Sequence, residues 1–248
     1  VYVDFDEPVS LRTFASSRGF SLPRDTEIHT SEEKNVRRKF IADLAEKIGH
    51  GIDKVTRITP TSMAAAAVLS HTRRGMSQKE LVTIVTLMIR LLKDLDARLS
   101  DTLQPESVGE AVAETLARLA DDKLLSISHT ADDDVIYQID DTGRRALDYY
   151  KNNALHFFAP LSIVALAISS VDSETPTFTE VEEVVSELFT ILQFEFHLRN
   201  EHETYLERAL EVLSSHRLIE YDKEESESIK VTRIGEQSIL QLAGLLSV

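Results

Sequence analysis

The chain contains 248 residues, carries a formal net charge of −15 and has no cysteine. That length suits one large domain or two small ones, and an apolar content of 42% is ordinary for a folded protein. The lack of cysteine excludes a disulfide framework, a cysteine nucleophile and a thiolate metal site. The acidic balance disfavours general binding to nucleic acid, because such binding depends on lysine and arginine releasing counterions from phosphate.

Residues 1–30 have the pattern of the end of another domain. Apolar and polar side chains alternate over residues 1–5 as they do in a strand, and Ser10 is placed to cap a short helix. A single strand needs neighbours to hydrogen-bond with, so we expect its sheet partners to precede this chain. The sequence therefore predicts the tail of another domain, and we expect the chain to be a fragment.

Three helices are predicted over the next part of the chain. The first opens at Ser31 and keeps a helical apolar period until just before Gly49. The second contains the alanine-rich residues 62–69, whose small side chains predict close burial against a neighbour. The third is capped by Ser77 and carries a broad apolar face, which predicts a place in a core. Residues 31–75 are predicted to be a helical connector.

The second half of the chain contains a weak internal repeat. Residues 116–127 match residues 210–221 in apolar pattern and in a basic residue that precedes two apolar ones. Each segment is followed by an acidic turn, a β-rich run and a glycine that precedes a helix. Each is preceded by an amphipathic helix, the second of which is predicted to open at Thr179. We therefore expect two winged-helix-like units, residues 76–153 and 176–248, in a mainly α fold with small β-hairpins.

Residues 154–171 form an uncharged and mostly apolar run. Such a run must be buried in a core, in a partner or in a membrane. Pro160 would remove a backbone donor and His156 would be costly in lipid, so a buried core helix is favoured over a membrane span. We predict an apolar junction helix, residues 154–175, between the two units.

A winged-helix fold suggests DNA binding, yet both predicted hairpin tips are acidic. The candidate recognition helices also carry carboxylates, which are Glu110, Glu114, Asp121 and Asp122 in the first unit and Glu203, Glu207 and Glu211 in the second. These groups repel a duplex. We therefore expect units that pack together or bind protein, with no nucleic-acid partner.

Two sets of side chains have spacings that catalytic or metal sites use. His129 and Asp134 are separated as a histidine base and its orienting carboxylate can be, but three consecutive aspartates indicate a solvated turn. A second set could bind zinc or iron, although a charged helix end has the same composition. That set comprises His197, Glu201, His202 and Glu203. No metal or other cofactor is expected.

Three arginine pairs stand out against the acidic background, and they are residues 37–38, 73–74 and 144–145. They could bind phosphate groups of a lipid or coenzyme, but surface ion pairing is the favoured interpretation. No glycine-rich phosphate loop and no Gly-x-Ser-x-Gly turn is present. The chain is therefore predicted to be non-catalytic by itself.

Two sequence blocks carry a resemblance to a known family. Residues 2–11, Tyr-Val-Asp-Phe-Asp-Glu-Pro-Val-Ser-Leu, are similar to the strand and Gly/Asp-Glu-Pro turn that close an acyltransferase domain. Residues 149–153, Tyr-Tyr-Lys-Asn-Asn, with His156 and the later Pro-Leu-Ser, are similar to a Tyr-Tyr-Arg-Asn-Asn, His, Leu-Pro-Ser block. Residues 194–199 give a weaker match. Over most of its length, the chain thus resembles the C-terminal region of bacterial and mitochondrial glycerol-3-phosphate acyltransferases.

The resemblance implies a parent enzyme that transfers an acyl group from acyl-CoA or acyl-carrier protein to the 1-hydroxyl of glycerol 3-phosphate. The catalytic boxes of that family would precede Val1, so His129 and Asp134 do not inherit their role. Residues 1–30 would be the tail of the α/β acyltransferase domain, which would be a partner within the same chain. The implied location is the cytoplasmic face of the inner membrane, with contact to the membrane surface.

The resemblance also implies two sets of site residues at the junction between the repeats. A polar junction patch would consist of Tyr149, Tyr150, Asn152, Asn153 and His156. Alternatively, these side chains satisfy one another's hydrogen bonds. Contact with membrane or acyl chain would fall to Phe157 and Phe158.

Two departures and two rival functions accompany this interpretation. Lys151 replaces the arginine of the family block, and Pro160 precedes a leucine instead of following one. One rival function is a non-enzymatic winged-helix adaptor or regulator. The other is an independent metal hydrolase that uses His197 and His202.

Overall fold

The computed structural model describes residues 3–21, 30–71, 75–104, 106–130, 134–192, 195–196, 202–222 and 226–246. Within these ranges the chain is mainly helical and divides into two units after Thr56. The helices are α1 Leu11–Ser17, α2 Ser31–Val55, α3 Pro60–Leu69, α4 Gln78–Asp94, α5 Val108–Asp121, α6 Asp141–Ser170, α7 Phe178–Leu192, α8 His202–Ser215 and α9 Gly235–Gly244. The strands are β1 Gly75–Ser77, β2 Ser126–His129, β3 Val135–Gln138, β4 Ile219–Asp222 and β5 Ser226–Val231.

The first unit has a small aromatic core. Ser10 caps α1 as predicted, since its hydroxyl accepts a hydrogen bond from the Thr13 backbone N–H at 3.3 Å. Phe14 of α1 is buried against Phe40 of α2, and the ring of Phe20 stacks on Phe40 at 4.2 Å. Residues 3–10 have no regular secondary structure, so the predicted strand is absent from the described part of this segment. A strand without a neighbouring strand has no partners for its backbone groups.

Helix α2 is longer than predicted. It begins at Ser31, as predicted, and its cap is Thr30, because Thr30 and Glu33 exchange hydrogen bonds of 3.1 and 3.0 Å between side chain and backbone. The helix continues through the two glycines that were expected to end it. The carboxylate of Asp6 lies close to Gly51, where a larger residue would meet it. The same carboxylate forms a 3.0 Å ion pair with Lys54. The hydrogen bond from Lys54 lowers the pKa of Asp6.

The second unit is built around α6. This helix packs against α3, α7, α8 and α9, and it runs unbroken across the predicted boundary between residues 153 and 154. Pro160 lies inside it without ending it. The alanine-rich helix α3 is buried along residues 62–69, as predicted. Its small side chains allow the backbones of α3 and α6 to approach closely, so the two helices form the centre of the core.

Two successive segments of this unit share one order of elements. Helices α4 and α5 are followed by the antiparallel hairpin β2–β3 and then α6, while α7 and α8 are followed by the hairpin β4–β5 and then α9. Strand β1, which was not predicted, pairs with β3 immediately before α4. Thr177 forms an isolated antiparallel bridge with Ser228 of β5 immediately before α7. Both predicted hairpins are therefore present.

The first helix of each segment begins with the same capping arrangement. Ser77 caps α4 as predicted, and its hydroxyl accepts from the Glu80 backbone N–H at 3.2 Å. The cap of α7 is Thr177 and not the predicted Thr179. The Thr177 N–H donates to the Glu180 carboxylate at 2.8 Å, and the Glu180 N–H donates to the Thr177 hydroxyl at 3.3 Å. Because two threonines stand two residues apart here, the sequence pattern fits either start.

Candidate functional site

The predicted polar junction patch lies in the middle of α6. Tyr149 is 71% exposed, Asn152 and Asn153 are exposed, and Tyr150 and His156 are half-buried. Residues three and four apart share one face of a helix, so Tyr149, Asn152, Asn153 and His156 lie side by side on the outer face of α6. The helix therefore presents a row of aromatic, amide and imidazole groups at its surface.

Ring contacts organise part of this row. The rings of Tyr149 and Tyr150 meet edge to face at 5.6 Å, and the ring of His156 lies 4.0 Å from that of Phe157. The side chains of Tyr149, Asn152 and Asn153 form no hydrogen bond with any residue that the structure describes. Their polar groups are thus open to water or to another surface.

The two phenylalanines differ in their surroundings. Phe158 is fully buried and belongs to the main hydrophobic core. Phe157 is only partly buried and packs at the edge of that core. Only Phe157 has side-chain surface to offer to a lipid or acyl chain in this conformation.

Lys151 is buried, which the sequence pattern did not predict. Its side chain points away from the exposed row, is only 4% exposed, and its Nζ lies 3.1 Å from Oδ1 of Asp148. A buried ammonium group needs a charged or polar partner, because desolvation would otherwise make it costly. The only sequence signal was the i, i+3 spacing of the two residues, which surface pairs also show.

The other predicted sites are placed as follows. His129 ends β2 and Asp134 precedes β3, and the Thr130 N–H donates to the Asp134 carbonyl oxygen at 3.0 Å. Both residues therefore flank the predicted hairpin turn, whose residues 131–133 lie outside the described ranges. Residues 197 and 201 and the side chain of His202 lie outside the described residues. Among the residues that are described, no three histidine, aspartate or glutamate side chains are grouped to hold a metal ion.

Helix α6 is also the one described helix that is long and apolar enough to cross a membrane. In this structure, 61% of its most apolar 18-residue window is buried. Length and composition are thus weakly consistent with membrane association. The same properties are expected of a helix at the centre of a protein core.

Comparison with known proteins places the chain in one group. The family described as "Glycerol-3-phosphate acyltransferase C-terminal region" matches residues 1–247. A glycerol-3-phosphate acyltransferase of Pseudomonas fluorescens (strain Pf0-1) is 26% identical over 227 residues, which cover 90% of this chain and 26% of that protein. One of Pseudoalteromonas translucida (strain TAC 125) is 22% identical over 222 residues, which cover 89% of this chain and 26% of that protein. The chain thus spans about a quarter of the length of these curated relatives.

Proposed function

Because this chain belongs to the family of glycerol-3-phosphate acyltransferase C-terminal regions, we propose that it serves as that region of a longer glycerol-3-phosphate 1-O-acyltransferase. The parent enzyme would transfer an acyl group from acyl-CoA or acyl-carrier protein to glycerol 3-phosphate in the first step of phospholipid synthesis. The family match over residues 1–247 carries this proposal. The catalytic groups would belong to the remaining part of the parent enzyme.

The repeated order of elements supports a duplicated winged-helix-like architecture for the second unit. In addition to the shared order, Lys123 after α5 and Arg217 after α8 both have a positive φ, 60° and 57°. These are corresponding positions of the internal sequence repeat. Each lies where the second helix of its segment turns into the hairpin, so the two segments turn in the same way. The two segments differ in their packing, because α7, α8 and α9 contact α6 whereas α4 and α5 contact α3.

The first unit has a small buried core and many exposed apolar side chains, as expected of a segment that another domain covers. Its buried core consists of Phe14, Ala15 and Phe40, which is little for a segment of this length. Eight of the 13 exposed large apolar side chains of the described residues belong to it. They are Val3, Phe5, Val9, Leu11, Val36, Ile41, Ile48 and Ile52.

Part of this set forms a continuous stripe on α2. Ile41, Ile48 and Ile52 are between 46% and 58% exposed, and Ala45 is also exposed. Their spacing of four, three and four residues is the spacing of a seam between packed helices. We call these four residues the α2 stripe. Since the match covers only 26% of the length of the Pseudomonas fluorescens relative, the proposed occupant of the stripe is the catalytic domain of the parent enzyme.

The proposed membrane contact of the parent enzyme would be at the cytoplasmic face of the inner membrane. Within this chain, Phe157 and the exposed row of Tyr149, Asn152 and Asn153 on α6 would take part. Tyrosine is favoured at membrane interfaces because its ring is apolar and its hydroxyl remains hydrated. The same row could instead complete the contact with the catalytic domain.

Acyl transfer by the complete protein tests the proposed function. The complete coding sequence that includes residues 1–248 should yield a protein that converts glycerol 3-phosphate and acyl-CoA or acyl-carrier protein to the 1-acyl product. The 248-residue chain alone should yield none. A folded complete protein that is inactive with both acyl donors and with glycerol 3-phosphate would contradict the proposal.

The role of the α2 stripe is tested by the triple substitution Ile41→Ser, Ile48→Ser and Ile52→Ser. In the complete enzyme it should lower the thermal stability and the rate of acyl transfer, because the catalytic domain would lose an apolar contact. In the 248-residue chain it should change the free energy of unfolding by no more than about 0.5 kcal/mol per site relative to the unsubstituted chain, because exposed residues contribute little.

A matched control replaces two apolar side chains that are exposed elsewhere, Ile191→Ser and Leu240→Ser. It should leave the complete enzyme unchanged. An unaltered enzyme after the triple α2 substitution would contradict the docking role. Loss of vesicle binding with unaltered stability would assign the stripe to lipid instead.

A further inference from the structure

A cavity of about 720 Å³ lies over the hairpin β4–β5, beside the end of α8 and the segment that leads into α9. It is distant in sequence from the α2 stripe and from the exposed row on α6. Its lining combines cationic and hydroxyl side chains with a few apolar ones. The residues used below are Thr175, Ser214, Arg217, Glu220, Lys230, Arg233 and Ile234.

The cavity is cationic although the chain as a whole is acidic. Its lining contains three cationic residues, Arg217, Lys230 and Arg233, and one acidic residue, Glu220. Lys230 pairs with Glu220 at 3.3 Å, so this carboxylate is engaged. Arg217 and Arg233 form no ion pair with any residue that the structure describes. In a chain of net charge −15, two cations in one cavity that pair with no described carboxylate favour an anionic ligand.

The backbone holds Arg217 in place. Arg217 follows the end of α8 and has a positive φ of 57°. Its N–H donates to the Ser214 carbonyl oxygen at 2.8 Å. Its own carbonyl oxygen accepts from the Thr232 hydroxyl at 2.7 Å. Both backbone polar groups of Arg217 are therefore hydrogen-bonded, which fixes the point from which its side chain extends.

The chemistry of the lining selects among anions. Guanidinium groups present N–H donors in a planar fork that matches the oxygens of a phosphate group. Thr175 and Ser214 line the same cavity, and hydroxyl side chains are neutral donors. Ile234 is 74% exposed at this site, so an apolar side chain stands next to the anion-binding groups.

We propose that this cavity binds a phosphate group, with Arg217 and Arg233 as its main ligands and Lys230 as a supporting cation. The phosphate group could belong to a free phosphate ester or to an anionic lipid headgroup, and Ile234 would contact the apolar part of a lipid. Binding of phosphate by the 248-residue chain can be measured whether or not the parent enzyme is active, so a failure of this proposal can be told apart from a failure of the proposed function.

The test is calorimetric titration of the 248-residue chain with inorganic phosphate at low ionic strength. In a second arm, the chain is sedimented with vesicles of phosphatidylglycerol and phosphatidylcholine, and with vesicles of phosphatidylcholine alone. The test variant combines Arg217→Asn with Arg233→Gln, since asparagine tolerates the positive φ of Arg217. We expect this variant to bind at least about tenfold more weakly, the effect of losing one or more charged hydrogen bonds.

The matched control combines Arg37→Gln with Arg38→Gln, which removes the same charge from exposed arginines that form no ion pair with a described residue. Phosphate binding that only the test variant loses assigns the site to a free phosphate group. Binding to phosphatidylglycerol vesicles alone, again lost only in the test variant, assigns it to a lipid headgroup. Absence of binding in both arms, or equal loss in the test variant and the control, overturns the proposal.

Discussion

The Cα of Gly235 packs directly against the carbonyl oxygen of Leu218, and a Cβ at this position would overlap that oxygen. Gly143 has the same relationship with the carbonyl oxygen of Leu124. In both segments a helix thus begins in contact with the backbone that leads into the preceding hairpin. The close approach explains why each hairpin is followed by a glycine.

This contact predicts that Gly235→Ala and Gly143→Ala each destabilise the protein. A methyl group must displace backbone atoms in a packed core, which costs about 1–3 kcal/mol. Urea unfolding followed by circular dichroism measures the effect. The control is Gly109→Ala in α5, where a Cβ would meet no atom within 4 Å and alanine should stabilise the helix by up to about 1 kcal/mol. Equal effects at all three positions would contradict the interpretation.

The ion pair between buried Lys151 and partly exposed Asp148 predicts unequal effects of two substitutions. Asp148→Asn should lower the free energy of unfolding by about 1–3 kcal/mol, because the buried ammonium loses its charged partner. Lys151→Met should cost less, because it removes the buried charge and keeps an unbranched side chain. Urea unfolding of both single variants and the double variant separates the two contributions. A larger loss of unfolding free energy for Lys151→Met than for Asp148→Asn would show that Lys151 stabilises the protein through contacts other than this pair.

The cap of α7 predicts a pH-dependent contribution to stability. Hydrogen bonds from the N–H and hydroxyl of Thr177 hold the pKa of Glu180 below its usual value. Because the folded-state pKa is the lower one, the stabilisation is fully present above the unfolded-state pKa near 4.5 and is lost as the pH falls through the folded-state value. The stability difference between the natural protein and Glu180→Gln should therefore be largest at neutral pH and should vanish in acid.

Urea titrations at several pH values measure this difference. The control Glu183→Gln removes the same charge from an exposed position of α7 that is outside the cap. Its stability difference should not follow the same profile. A pH-independent difference for Glu180→Gln would show that the ionised carboxylate contributes nothing to the cap.

The close packing of α3 against α6 predicts low tolerance for larger residues in α3. Ala65 is fully buried, so Ala65→Leu should destabilise by about 1–3 kcal/mol through overpacking. Ala42→Leu adds the same atoms at an exposed position of α2 and should change the free energy of unfolding by less than about 0.5 kcal/mol. Thermal unfolding of both variants gives the comparison. Similar stability of the two would mean that α3 can move away from its neighbours at little cost.

Local sequence signals determined many of the elements. The caps at Ser10 and Ser77, the buried alanine helix and the two hairpins follow from hydrogen bonds and apolar periods that span only a few residues. The same signals were wrong where a distant contact decided the outcome. Helix α2 continues past its glycines, with the Asp6 carboxylate lying against Gly51, and β1 exists because β3 supplies its hydrogen-bonding partners.

The candidate sites show the same division more clearly. The sequence by itself identified the block around Tyr149 and its family, because those residues are consecutive. Only the tertiary structure placed Lys151 in the core, left the α2 stripe exposed and brought Arg217 and Arg233 into one cavity. Helical period fixes which residues share a face, but burial and the local balance of charge depend on the elements that pack against that face, and those come from distant parts of the chain.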